Sequence, residues 1–150
     1  MNYNDFYDIR ESIAKIIDFF DLQDLKEMGD LAQDWESFAS NINNLKDYIT
    51  AYNLYFTEIN DKVALMSLIL ETSNEFLSHI QFNETSDLLV FGKLWLQIKK
   101  ILVQDQDIHA KKIKYWYCPN AETWEEIFYI TPFLRGLNLK DDLEEWIFTE

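Results

Sequence analysis

A chain of 150 residues with 48% hydrophobic side chains has the length of one domain and ample material for a core. Three glycines and two prolines are too few for a turn-rich sheet fold, and a lone Cys118 excludes an intramolecular disulfide. The net charge of −14 disfavours nucleic acid as a partner and suits a basic protein. Twelve acids against four bases fall before residue 59, seven of each between 59 and 118, and eight acids against two bases thereafter.

In chain order, Phe6, Ile9, Ile13, Ile16 or Ile17, and Phe20 form an apolar stripe that predicts a helix over Asn4–Phe20, with Asn4 as its N-cap. Leu25, Met28, Leu31, Trp35 and Phe38 predict a second helix from Leu22 to about Ser40, in which Gly29 costs about 1 kcal/mol relative to Ala. Asn41, Asn43 and Asn44 mark a break, because asparagine competes with the helix for backbone hydrogen bonds. Leu45, Tyr48 or Ile49, Tyr52, and Tyr55 or Phe56 predict a third helix ending near Asn60.

The segment Ile59–Gln81 organises the rest. Ile59, Val63, Met66, Ile69 or Leu70, Phe76 or Leu77, and Ile80 share a face, and Ala64, Leu65 and Leu68 make its first half apolar nearly all round. Such a helix must be covered on several sides, so it reads as the central helix of a bundle. Asp61, Lys62, Glu71 and Glu75 interrupt it too often for a membrane span. Phe82–Ser86 is a polar turn, and Leu88–Val103 a helix with Phe91, Leu94 or Trp95, Ile98, and Ile101 or Leu102 inside.

Beyond Gln104 the pattern leaves alternatives open. Lys112–Tyr117 alternates with a period of two and could pair with Ile127–Ile130 as a small β-hairpin within residues 112–130. Asn120 followed by Ala-Glu-Thr-Trp-Glu-Glu reads instead as a capped helix start. Thr131 and Pro132 suit the N-cap and first position of one short turn that Gly136 stops, and Leu139–Ile147 predicts an acidic closing helix. The expected fold is mainly α, a single-domain bundle of about six to seven helices over residues 1–150.

Catalytic furniture is scarce. His79 lies four residues after Glu75, but a carboxylate-bridged metal bundle needs two Glu-x-x-His motifs. The acids before His109 lack the glycine and the terminal glutamate of a calcium loop. Cys118 has no sequence-local base, no glycine-rich phosphate loop exists, and neither Arg10 nor Arg135 is followed by a histidine with four to six residues between them, as in helical RNA-cleaving domains. These patterns predict no enzyme, no metal and no cofactor. The start of the chain lacks a signal-peptide pattern, so the expected location is cytoplasmic.

The surface is more informative. Asp24, Glu27, Asp30 and Asp34 recur at helical spacing opposite Leu25, Leu31 and Trp35, and Glu122, Glu125, Glu126, Asp141, Asp142, Glu144 and Glu145 repeat the theme near the C-terminus. Such stripes are ordinarily solvated faces, but like charges three or four apart cost about 0.2–0.5 kcal/mol per pair without local offset. Trp116, Trp124 and Trp146 cluster late in the chain, where each is either core or an interface anchor. The expected partner-binding residues are Asp24, Glu27, Asp30, Asp34, Glu122, Trp124, Glu125 and Glu126.

Small size, acidity, aromatic richness and the stretch Trp124-Glu-Glu-Ile-Phe-Tyr-Ile-Thr-Pro-Phe-Leu-Arg135 resemble the immunity proteins that bacteria pair with polymorphic or contact-dependent toxins. The resemblance implies an inhibitor of a cognate protein toxin, often a nuclease, with a basic surface. A helical scaffold or adaptor acting by protein association is the alternative that the composition allows.

Overall fold

The computed structural model describes residues 3–22, Leu25, residues 35–80 and residues 85–149. The protein is mainly α-helical, with eight α-helices and no strand among the described residues. They are α1 (Arg10–Phe19), α2 (Trp35–Ala39), α3 (Leu45–Leu54), α4 (Ile59–His79), α5 (Thr85–Gln104), α6 (Ala110–Tyr117), α7 (Thr131–Leu134) and α8 (Asp141–Ile147). Single 3-10 turns sit at Ile42–Asn44 and Trp124–Glu126. The chain divides into two compact units, Phe6–Glu75 and a second made of Met1–Asp5 with Phe76–Glu150. No helix among the described residues is long and apolar enough to cross a membrane.

In the Phe6–Glu75 unit, α1 starts six residues later than its apolar pattern predicts. Asp8 accepts hydrogen bonds from the Arg10 backbone at 3.2 Å and from its guanidinium at 3.1 and 2.8 Å. This local side-chain turn holds the preceding residues out of the helix. Phe6 therefore leaves the stripe and stands 83% exposed, while Ile13, Ile16 and Ile17 are buried. The predicted break after Ser40 is present, with the Asn41 side chain accepting from the Asn43 N–H at 3.0 Å. Helix α3 buries Leu45, Tyr48, Ile49, Ala51 and Tyr52, and stops at Leu54 rather than near Asn60. The Tyr48 hydroxyl donates to the Ala39 carbonyl at 3.1 Å, tying α3 to the end of α2. Edge-on ring pairs, Phe20 with Tyr48 and Phe19 with Phe56, extend this core. The second predicted helix is described only at Leu25 and Trp35–Ala39; Gly29 lies outside the described residues.

Helix α4 follows its predicted bounds to within two residues. Every residue from Val63 to Leu70 is buried, as a helix apolar all round requires. Its buried serines satisfy themselves locally, Ser67 donating to the Val63 carbonyl at 3.2 Å and Ser73 to the Ile69 carbonyl at 2.7 Å.

In the other unit, α5 buries Phe91, Trp95, Ile98, Ile101 and Leu102, and both Phe91 and Trp95 meet the ring of Phe133 edge-on, at 5.2 and 5.5 Å. The turn after α5 does more than reverse the chain. Gln106 is buried and accepts the Lys140 backbone N–H at 2.7 Å, while Asp107 takes the Lys140 ammonium at 2.7 Å, so the turn seats the start of α8. The acids Asp141, Asp142 and Glu144 occupy the first turn of α8, where the helix dipole favours them. At its other end, Lys114 donates to the carbonyls of Trp146 and Thr149.

The hairpin alternative fails: Ala110–Tyr117 is helix α6. Ala110, Ile113 and Trp116 are all buried and three residues apart, so one helical face satisfies the same aromatics that mimic a strand alternation. Ile127–Ile130 is irregular chain leading into α7 rather than a strand.

Candidate partner-binding site

The segment between α6 and α7 forms the candidate site, and the end of α6 positions it. A helix leaves its last carbonyls without intrahelical donors. Here Thr131 Oγ1 donates to the Trp116 carbonyl at 2.7 Å, and Arg135 donates from Nε to Tyr117 at 3.0 Å and from Nη2 to Cys118 at 2.8 Å. Three successive carbonyls are thus taken by two side chains of one short helix and its C-cap. Cys118 adopts the left-handed conformation (φ 52°) usual for a helix-ending glycine and ends α6. Thr131 is the first residue of α7 rather than its N-cap, which is Ile130. Its buried oxygen also accepts the Phe128 N–H at 3.0 Å, fixing the return of the loop.

The loop is braced by its own acid. Glu126 accepts from the Glu122 N–H at 3.1 Å and from the Thr123 hydroxyl at 3.3 Å. Thr123 and Glu126 have the spacing of a capping box, here closing one 3-10 turn. Glu126 is therefore committed within the loop. Glu122 and Glu125 are exposed, and Trp124 stands 81% exposed between them.

Trp124 separates two hollows. One, of about 430 Å³, is walled by Glu125, Ile127, Phe128, Tyr129 and Pro132; the other, of about 160 Å³, by Ala121, Glu122, Thr123, Ile127 and Arg135. Beneath the first, Phe128 packs edge-on against the buried Trp116 with centroids 4.6 Å apart and lies 5.4 Å from Tyr115. Tyr129 is 63% exposed. An apolar floor, an exposed indole and carboxylates at the margin suit recognition of a protein surface.

Of the expected binding residues, the structure thus brings together Glu122, Trp124, Glu125 and Glu126. Asp24, Glu27, Asp30 and Asp34 lie outside the described residues. Trp116 belongs to the core, and Trp146 is half-buried beneath the Lys114 ammonium, 4.5 Å from its ring, and beside Tyr3. Asp142 accepts the Tyr3 hydroxyl at 2.8 Å, which holds its carboxyl below the ordinary carboxylate range. The contributions of Ile127, Phe128, Tyr129 and Pro132 are missed by sequence reasoning, which reads the first three as a strand. The Thr-Pro start of α7 followed by an arginine is the one signal that could have located the brace.

A third hollow, of about 540 Å³, lies in the Phe6–Glu75 unit around Asp61. Asp61 is 5% exposed in the first turn of α4 and is met by Ser12 Oγ at 2.6 Å and Lys15 Nζ at 3.2 Å. That hydrogen bond and charge, foremost, raise the Lys15 pKa. These bonds join α1 to the start of α4, a structural use of the carboxylate. His79 is exposed near the end of α4, His109 is buried before α6, and Cys118 Sγ lies 3.7 Å from Thr131 Oγ1. Among the described residues no group of three His, Cys, Asp or Glu side chains is placed to hold a metal ion.

The chain matches no protein-family model, no curated protein and no solved structure.

Proposed function

We propose that this chain is a cytoplasmic immunity protein that binds and neutralises a cognate bacterial toxin through an acidic, aromatic surface. The observation that carries the reading is Trp124, exposed between Glu122 and Glu125 on a loop braced from below. An exposed tryptophan over an apolar floor supplies the anchor, and surrounding acids steer a basic surface toward it. A nuclease toxin must hold phosphates in a basic cleft, so an acidic partner seated there competes with substrate.

Co-expression tests the reading. Where a neighbouring gene encodes a secreted toxin, its C-terminal domain should be harmless in cells that also make this chain and lethal in cells that do not. The purified pair should form a one-to-one complex whose association slows as salt rises, because the Debye length shrinks from about 10 Å at 0.1 M to about 3 Å at 1 M. Continued killing despite ample soluble protein would remove the immunity reading.

The exposed Leu89 and Leu96, seven residues apart on one side of α5, favour a second reading, a scaffold that self-associates through an apolar helix face. A dimer or larger species in light scattering, with no toxin neutralised, would support it.

A further inference from the structure

We infer that Trp124 and Glu125 form a receptor for an arginine side chain of the protein partner, with an adjoining aliphatic residue filling the hollow over Phe128. The inference rests on the proposed function and specifies the chemistry of the partner's contact.

From Ala121 to Leu134 the chain carries three glutamates and no lysine or arginine. Glu126 is spent on the Glu122 N–H and the Thr123 hydroxyl, and the Arg135 guanidinium on the carbonyls of Tyr117 and Cys118. Glu122 and Glu125 therefore stand in solvent beside Trp124 without a basic residue of their own loop. An indole face presented this way is the best aromatic acceptor for a cation. Arginine fits better than lysine, since its planar guanidinium stacks on the ring while its fork meets a carboxylate in two hydrogen bonds. The hollow of about 430 Å³ next to the ring is walled by Ile127, Phe128, Tyr129 and Pro132, which provide apolar surface for a neighbouring aliphatic side chain. Glu125 lies on the wall of that hollow, which no basic residue lines, whereas Glu122 shares the smaller one with Arg135, so the carboxylate set to meet a cation at the indole is Glu125.

The receptor is also stiff enough to select. Thr131 and Arg135 lock the loop to α6 by hydrogen bonds that do not involve Trp124, so the ordering cost of the loop is met before a partner arrives.

The test uses the full chain labelled with nitrogen-15 and a blocked Leu-Arg-Gly tripeptide, with Leu-Lys-Gly and Leu-Glu-Gly as comparators. The Trp124 indole N–H resonance is identified by its loss in Trp124→Phe. It should shift saturably with the arginine peptide, more weakly with the lysine peptide and not with the glutamate peptide. Glu122→Gln combined with Glu125→Gln should reduce the apparent affinity at least several-fold while the remaining spectrum stays that of the folded chain. A Trp124 resonance that ignores the arginine peptide, or that moves equally with the glutamate peptide, overturns the inference. The two proposals fail separately. A chain that binds the arginine peptide at Trp124 yet does not protect against a toxin keeps the receptor and loses the immunity role. Undiminished toxin binding by Trp124→Ala keeps the immunity role and removes the receptor.

Discussion

The hydroxyl of Thr131 donates to the backbone carbonyl of Trp116 at 2.7 Å, and both residues are buried. One hydroxyl thereby joins the last turn of α6 to the first residue of α7 and, by accepting the Phe128 N–H, sets the loop that carries Trp124.

Thr131→Val keeps the shape of the side chain and removes its donor and acceptor. Leaving buried polar groups without partners costs about 1–3 kcal/mol, which corresponds to a melting temperature lower by roughly 2–12 °C for a chain of this size. Thr131→Ser should recover most of the loss. An unchanged melting temperature in the valine variant would show that the bond contributes nothing net.

Leu68 and Ile69 are fully buried in α4. Replacing either with Asp places a carboxylate where water does not reach it, at a cost of several kcal/mol against a total stability of about 5–15 kcal/mol. The expected result for Leu68→Asp is loss of cooperative unfolding by circular dichroism. A variant that melts like the wild type would contradict the enclosure of this helix.

Tyr3 and Asp142 predict a pH dependence at both extremes. Burial first, then the carboxylates of Asp142 and Asp107, push the Tyr3 phenol up to about 12 from 10.0. Its contribution is complete below pH 10 and is lost as pH rises toward 12. Asp142 is shifted the other way, its carboxyl lowered chiefly by the Tyr3 hydrogen bond, so its contribution is present above the usual carboxylate value of 3.8 and lost as pH falls below it. Tyr3→Phe keeps the ring beside Trp146 and deletes the bond. In urea titrations its stability deficit should be widest between the two limits and should narrow beyond each; a deficit constant across pH would refute the assignment.

Glu71 works against the fold at neutral pH. Burial, then the charges of Glu36 and Glu75, raise its carboxyl above the ordinary 4.5. A raised carboxyl costs nothing below its unfolded value and penalises the fold increasingly as pH rises through the folded one. Glu71→Gln retains an acceptor for the Ser37 hydroxyl, 3.5 Å away. The variant should be more stable than the wild type at pH 7, with the difference vanishing near pH 4. A loss of stability at pH 7 would mean the carboxylate is better compensated than its surroundings indicate.

The helical class and the enclosure of α4 were both legible in the residues. Apolar positions three and four apart mark α1, α3, α4 and α5, and the all-round apolar run Val63–Leu70 admits no arrangement in which it faces water. The asparagine break before α3 was legible because its cause is local, one side chain bonding a backbone two residues on. Periodicity failed where a side chain intervened: Asp8 holds Phe6 out of α1 through bonds that no apolar spacing reports. It failed again over Lys112–Tyr117, since Ile113 and Trp116 fit a strand alternation as readily as a helix face until burial decides between them. The candidate site divides the same way. The sequence picks out Trp124 and its glutamates as candidate contacts but leaves Trp124 as either core or interface anchor. Only the tertiary structure commits Glu126 to the loop, sends Trp116 to the core and leaves Trp124 in solvent. Those outcomes depend on bonds from Thr131 and Arg135 to carbonyls 15 to 18 residues away, and such partners are chosen by packing rather than by sequence neighbours.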